Sequence, residues 1–363
     1  MSAAADLLDL LVRSSLLLAM IWLAAEAVRQ AGGSAAMRHL VWLLGFAALP
    51  LLPLLAIVMP PLLLPILPEA APAPAMTAPA FAAAAAAGSG GTAPASGPGL
   101  GAVVRWLYFA VAAGLAGRLA LGHFLLARLW RRARPAGDAH WAALTAGLAG
   151  ALGISRPVAL RIAADPAMPM TWGTLRPKIL LPAEARTWSD ERRRIVLLHE
   201  LAHVSRRDSL SRSAATIVCA LYWFHPAAWY AARRMRLEQE HACDDLVLAL
   251  GAGAHAYARD LLEVAGGLRR APILAGLPAA MARPSELERR LAAIVGRASR
   301  RRSSARFTAG SGAAALAATL LVATVAPVAA GRLAPPRPPA PVAPVAPLPP
   351  RAAAHPVPPV RAA

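Results

Sequence analysis

Residues 199–203 read His-Glu-Leu-Ala-His. On a helix the two histidines stand four apart, so both imidazoles leave one face and can grip a single metal ion. Glu200, beside the first histidine, is placed to take a proton from an attacking water and return it to a leaving amine. Zn²⁺ suits a set of two imidazole nitrogens and one carboxylate oxygen, with a fourth position left open. The third donor must come from elsewhere, and the segment Arg236–Asp244 supplies candidates. Glu240 is assigned to the metal, and Asp244, one turn later, to a hydrogen bond that fixes the tautomer of a ligand histidine. Glu238 and His241 are the rival donors, each pointing well around the helix from Glu240. For stabilising a tetrahedral oxyanion the candidates are Tyr222, Tyr230, Arg236 and His241. Asp208, five residues after His203, either orients that helix or pairs with Arg206 or Arg207.

These residues need helices to carry them. A Ser189 cap followed by Asp190 and Glu191 opens a helix through ERRRIVLLHELAHVSRR. A second apolar helix is expected over Ser209–Phe224, stopping at His225-Pro226, and a third over Ala227–Leu250. The stretch Ala214–Phe224 is too short to span a bilayer and reads as a buried helix. Upstream, Val158–Ile162 reads as a strand, and Met170–Leu175 with Lys178–Leu181 as a strand pair. Such a pair could offer an edge to an extended substrate.

The rest of the chain is not that of a simple soluble globule. Of its 363 residues 57% are hydrophobic, with 16% charged, and the apolar residues fall in long blocks. Four membrane spans are expected: Leu7–Val28, Leu40–Met59, Ala102–Trp130 and Phe307–Gly331. The domain organisation is then two transmembrane helices over 1–59 and a Pro/Ala/Gly-rich extracytoplasmic linker over 60–101. A third transmembrane helix follows over 102–130, and a water-facing domain over 131–306. A fourth transmembrane helix over 307–331 and a disordered Pro-rich tail over 332–363 complete the chain. The fold class is mainly α, with an α+β domain inserted between the third and fourth spans.

The net charge of +19 follows this layout. Residues 131–307 hold 28 basic side chains against 15 acidic ones, while 60–101 hold no Lys or Arg. By the positive-inside rule the 131–306 domain is cytoplasmic and both termini are extracytoplasmic. The arginines are scattered, with no aromatic platform among them, so no direct nucleic-acid partner is expected. Membrane lipid is, with the cluster Arg297–Arg306 as an inner-leaflet anchor. That same basic segment, tethered near the site, is a candidate for self-cleavage. The two cysteines, Cys219 and Cys243, read as free thiols.

The pieces RHLVWLLGFAALPLL, MPMTWGTLRPKILLP, HELAHVSRRD and WFHPAAWYAARRMRLEQEHACDD together resemble the BlaR/MecR-type integral-membrane metallopeptidases, whose zinc domain is gluzincin-like. The distinctive element, Glu-x-x-Cys-Asp, falls on Glu240, Cys243 and Asp244. The resemblance runs over about residues 1–330. It implies one Zn²⁺ per chain held by His199, His203 and Glu240, with Glu200 as the base and Cys243 as a packing residue. It also implies an endopeptidase that cuts a cytoplasmic protein, a winged-helix transcriptional repressor being the expected substrate, in transmembrane signalling. Members that detect β-lactams carry a penicillin-binding sensor with an acylated Ser in S-x-x-K. Here Lys178 is the only lysine and Leu175 stands three residues before it, so covalent β-lactam binding by this chain is not expected. The alternatives are a quality-control metalloprotease of the membrane, or a non-catalytic membrane receptor or anchor.

Overall fold

The computed structural model describes residues 3–58, 62–67, 100–163, 168–268 and 284–296, together with 310, 314, 317–319, 321–322 and 325–329. It is mainly helical. Helices α1 (Ala3–Gln30), α2 (Ala35–Ala48) and α3 (Leu51–Val58) open the chain, followed by strand β1 (Leu62–Leu67) and the long helix α4 (Leu100–Arg132). Strand β2 (Arg134–Pro135), helix α5 (Ala139–Ala151) and strands β3 (Ala159–Ile162), β4 (Met170–Trp172) and β5 (Lys178–Leu181) come next. Helices α6 (Asp190–Ser205), α7 (Asp208–Leu221), α8 (Pro226–Ala249), α9 (Ala254–Leu268) and α10 (Pro284–Gly296) precede strand β6 (Val325–Ala329).

Two of these helices have the length and apolarity to cross a membrane, over Asp9–Gln30 in α1 and Gly101–Arg132 in α4. The expected second span, Leu40–Met59, is not one helix. It divides at Leu49 and Pro50 into α2 and α3. Pro50 and Pro53 have no N–H to donate four residues back, so the helical ladder is interrupted there. The expected fourth span is not one continuous helix either, because Val325–Ala329 is a strand paired in parallel with β1, Leu62 facing Val325. Strand β1 in turn lies within the stretch 60–101 expected as a Pro/Ala/Gly-rich linker. The remainder of that linker over 68–99, the Arg297–Arg306 cluster and the 332–363 tail lie outside the described residues.

The second sheet runs β2-β3-β5-β4, with β3 and β5 parallel and the other pairs antiparallel. Its edge strand β4 is shorter than the expected Met170–Leu175. Gly173 turns the chain there at φ 88°, and a Cβ at that position would lie 2.6 Å from the Arg176 carbonyl oxygen, a site only glycine fills without strain.

Helix α6 begins where the Ser189 hydroxyl accepts from the Arg192 N–H and is gripped on two sides. Leu197, Leu201 and Val204, spaced i, i+4, i+7, pack on the sheet with Ile179, Leu181 and Trp141 of α5. Ile195 and Leu198 pack against Val247, Tyr257 and Ile294 of α8, α9 and α10. Each such leucine, fully buried, is worth about 1.5–3 kcal/mol. The helix that presents His199 and His203 is therefore held rigidly. A third core joins α1, α2, α7 and α8 through Leu17, Trp42, Phe46, Cys219 and Met235. The turn between α6 and α7 passes through Arg207 in the left-handed region, φ 56°. It costs about 1–2 kcal/mol for a residue with a Cβ and folds Asp208 back toward α6.

Candidate metal centre

His199 and His203 leave α6 side by side, with their rings 4.9 Å apart and nearly perpendicular. Glu240 on α8 faces both. Its Oε2 lies 3.6 Å from His199 Nε2, and its Oε1 lies 3.7 Å from His203 Nε2. The three donor atoms fall within 4.8 Å of one another, a spacing that one divalent ion can bridge. Glu240 Oε2 is buried and lacks a hydrogen bond of good geometry. A buried carboxylate oxygen without a well-directed hydrogen bond is a suitable donor to a cation, and two imidazoles with one carboxylate suit zinc.

Each histidine is fixed from behind. The His203 Nδ1–H donates to Asp208 Oδ2 at 2.7 Å. The His199 Nδ1–H donates to the Tyr257 hydroxyl at 2.9 Å, and Tyr257 in turn donates to Asp244 Oδ1 at 2.5 Å. With Nδ1 protonated in both rings, the Nε2 lone pairs point at Glu240. Burial raises the Asp208 carboxyl, but the His203 hydrogen bond and Arg206 outweigh it and bring the group down to about 2. Asp244 is likewise held below its usual range against burial, here by Arg290. Burial pushes the Tyr257 hydroxyl well up, so it remains a donor.

Two arginines complete the surroundings. Arg290 of α10 forks onto Asp244, at 3.0 and 2.8 Å, and places Nη1 at 3.2 Å from Glu240 Oε2. Arg212 of α7 donates to Glu240 Oε1 at 2.9 Å and to Gln239 Oε1 at 2.9 Å. Against the cost of burial, Arg290, the two histidines and Arg212 keep Glu240 ionised, well below the ordinary carboxylate range.

Glu200 is buried on the same helix, and the Thr171 hydroxyl of edge strand β4 donates to its Oε2 at 2.6 Å. One carboxylate oxygen is thus held while the other remains available. Cys243 is fully buried with Sγ 3.2 Å from His203 Nδ1 and 3.4 Å from Asp208 Oδ2. His203, Asp208 and Cys243 also form a compact donor cluster, but it shares His203 with the first. Burial raises the Cys243 thiol well above its normal value, so it stays protonated and donates to Asp208.

The structure therefore brings together His199, His203 and Glu240, with Glu200 next to His199 in the chain and Asp244 reaching His199 through Tyr257, its Oδ1 3.6 Å from His199 Nδ1. Glu238 is turned away, ion-paired to Arg38 of α2 at 2.8 Å and to Arg234 at 3.6 Å. Of the oxyanion candidates, Tyr222 donates to the Leu49 carbonyl at 2.7 Å and Tyr230 is exposed ten residues N-terminal of Glu240. Neither is at the centre. Arg236 is exposed one turn before Glu240, and His241 is half-buried next to it. Of the expectations for Asp208 the pairing is seen, its Oδ1 lying 3.5 Å from Arg206 Nε, while its bond to His203 is one the sequence did not announce. Tyr257, Arg290, Arg212 and Thr171 carry no local signal in the sequence, since each arrives through tertiary packing.

A histidine pair and a glutamate converging on one point, with a second glutamate beside them, is the arrangement of a metal-dependent peptidase. The family comparison agrees: the BlaR1 peptidase M56 family matches residues 5–294, and the chain belongs to that family. The Regulatory protein BlaR1 of Bacillus licheniformis is 39% identical over 80 residues. That stretch is 22% of this chain and 13% of the relative.

Proposed function

We propose that the chain is a membrane-embedded zinc endopeptidase that cuts a cytoplasmic protein, a transcriptional repressor, in transmembrane signalling. The observation that carries this reading is the convergence of His199, His203 and Glu240 within 4.8 Å, with Glu200 held beside them. Zinc, when bound by these three side chains, would polarise the scissile carbonyl and make water more acidic. The protein's own groups supply the rest. The Thr171 hydroxyl pins Glu200 Oε2, leaving Oε1 to take a proton from the attacking water and pass it to the departing amine. Asp208 and Tyr257 hold the ligand imidazoles in one tautomer. Among the described residues β4 is an edge strand, adjacent to Glu200, and can pair with an extended substrate strand.

The topology proposed with it has α1 and α4 as spans, α2–α3 as a broken span, and a fourth span within 307–331. The domain carrying the site faces the cytoplasm, supported by the excess of basic residues over 131–307. The test is made on the full chain in nanodiscs. Wild type is expected to hold one zinc, which His199→Ala and Glu240→Ala lose and Glu200→Gln keeps. In cells, wild type and not Glu200→Gln is expected to deplete a single repressor. Depletion of many unfolded membrane proteins would instead favour quality control, and identical proteomes would overturn peptidase action.

A further inference from the structure

The turn that joins α7 to α8 is bonded to three apolar elements. His225 Nε2 lies 3.2 Å from Ser15 Oγ on α1. Tyr222 donates to the Leu49 carbonyl at the α2–α3 break, and the Leu221 carbonyl accepts from Tyr108 of α4 at 2.8 Å. Pro53 cannot supply the N–H that would normally reach Leu49, and that carbonyl accepts from the Leu52 N–H at 3.2 Å and from Tyr222 instead.

These bonds fix a depth. At 1.5 Å per residue, Ser15 is about 21 Å from Arg29 and Leu49 about 16 Å from Arg38. Those two arginines flank the short turn proposed to face the cytoplasm. The hydrocarbon layer is about 30 Å thick, so residues 221–225 reach past its middle. The base of the hairpin sits at the arginine level, where Glu238 pairs with Arg38 and Arg206 lies 3.1 Å from His39.

The outer surface of the hairpin matches that position. Leu210, Ile217 and Leu221 are exposed and spaced i, i+7, i+11, which places them in one stripe along α7. Trp229 and Tyr230 are exposed on the first turn of α8. A stripe of this kind on a water-facing helix would be an uncompensated apolar patch. At the same depth His225 Nε2, the Tyr222 hydroxyl and the Leu221 carbonyl are paired inward.

We infer that α7 and the first half of α8 form a re-entrant helical hairpin inserted into the bilayer from the cytoplasmic side. Its occupant face, Leu210–Leu221, lies against lipid acyl chains. The metal-binding side chains then stand at the bilayer surface, at the base of the hairpin. This rests on the membrane placement proposed above.

The test uses the full chain in nanodiscs, with single cysteines introduced at Leu210, Ile217 and Leu221 and labelled with an environment-sensitive fluorophore. Native Cys219 and Cys243 are buried. Phe109→Cys on α4 serves as the membrane control. Lipids spin-labelled at shallow or deep positions are expected to quench all three, the 221 label about 16 Å deeper than the 210 label. Quenching by aqueous iodide, or protection from both quenchers by a second copy, would overturn the inference while Phe109→Cys remains lipid-quenched. If Phe109→Cys is also quenched only by iodide, the membrane placement itself fails. Carbene-forming lipids offer a check on unmodified protein, with labelling expected on peptides covering 210–230 and none of it there counting against the insertion.

Discussion

Arg290 is the most informative single residue to change, because it touches two buried carboxylates at once. Its side chain is 12% exposed, against 10% for Glu240 and 3% for Asp244. Replacing it by Gln removes the fork on Asp244 and the charge 3.2 Å from Glu240 Oε2. Breaking a buried ion pair from one side costs about 3–5 kcal/mol. Arg212 still serves Glu240 and Tyr257 still serves Asp244, so the lower end, about 3 kcal/mol, is expected for the metal-free chain. Zinc on Glu240 would replace part of the lost positive charge and recover about 1–2 kcal/mol of this. By the thermodynamic cycle, Arg290→Gln then binds zinc roughly tenfold more tightly while being less stable overall. The assay is thermal unfolding in detergent with chelator and with zinc, alongside zinc affinity by competition. The rise in Tm on adding zinc should be several degrees larger in the variant. A variant as stable as wild type without zinc would refute the reasoning, and so would one whose zinc affinity falls along with its stability.

Three further outcomes follow from the same geometry. Asp208→Asn replaces the charged acceptor that fixes His203 by a neutral amide, and zinc affinity measured by chelator competition should fall about 10–100-fold. Thr171→Val frees Glu200 Oε2. A fall in kcat of about tenfold is expected, with zinc content and KM near wild type, and Thr171→Ser should restore the rate. Glu238→Ala strands the largely buried Arg38 and should lower stability by about 3 kcal/mol while leaving the zinc in place. Glu240→Ala instead loses the zinc, and metal analysis of the two purified variants separates a structural carboxylate from a metal-binding one.

The sequence made the helical frame of the site readable. Ser189 marks the start of α6 and Pro226 the start of α8, because caps and prolines act locally. Glu240 stood out over Glu238 through its spacing from Asp244, and the structure sends Glu238 to α2. Contacts made across the fold were not readable. Tyr257 and Arg290 lie 58 and 91 residues beyond His199 in the chain, and nothing local marks either as its neighbour. The Asp208 bond to His203 depends on a left-handed residue at Arg207, a conformation that arginine does not advertise. Tyr230 looked eligible for oxyanion binding only because sequence does not say which end of α8 reaches the site. Ten helical residues put it about 15 Å from Glu240. Leu40–Met59 carries Pro50 and Pro53, but a charge-free run of that length meets the criterion for a span whether or not the helix is broken.

The same two helices serve the site at one end and the apolar bundle at the other. Asp208 and Arg212 ride on the first turns of α7, while Glu240 and Asp244 ride on the second half of α8. Between them, the turn 222–225 is tied to Ser15 and Leu49. A signal that shifts α1 against α2–α3 would therefore move the hairpin tip directly. Helices transmit such a shift along their length because their cores are close-packed and poorly compressible. The shift would arrive at Glu240 and at the His203–Asp208 pair without crossing a flexible loop. His199 and Glu200 would feel less of it, since α6 is clamped by the sheet on one side and by α9 and α10 on the other. The expected effect is a change in the spacing between the histidine pair on α6 and the carboxylate on α8. That spacing is the dimension on which holding a metal ion depends.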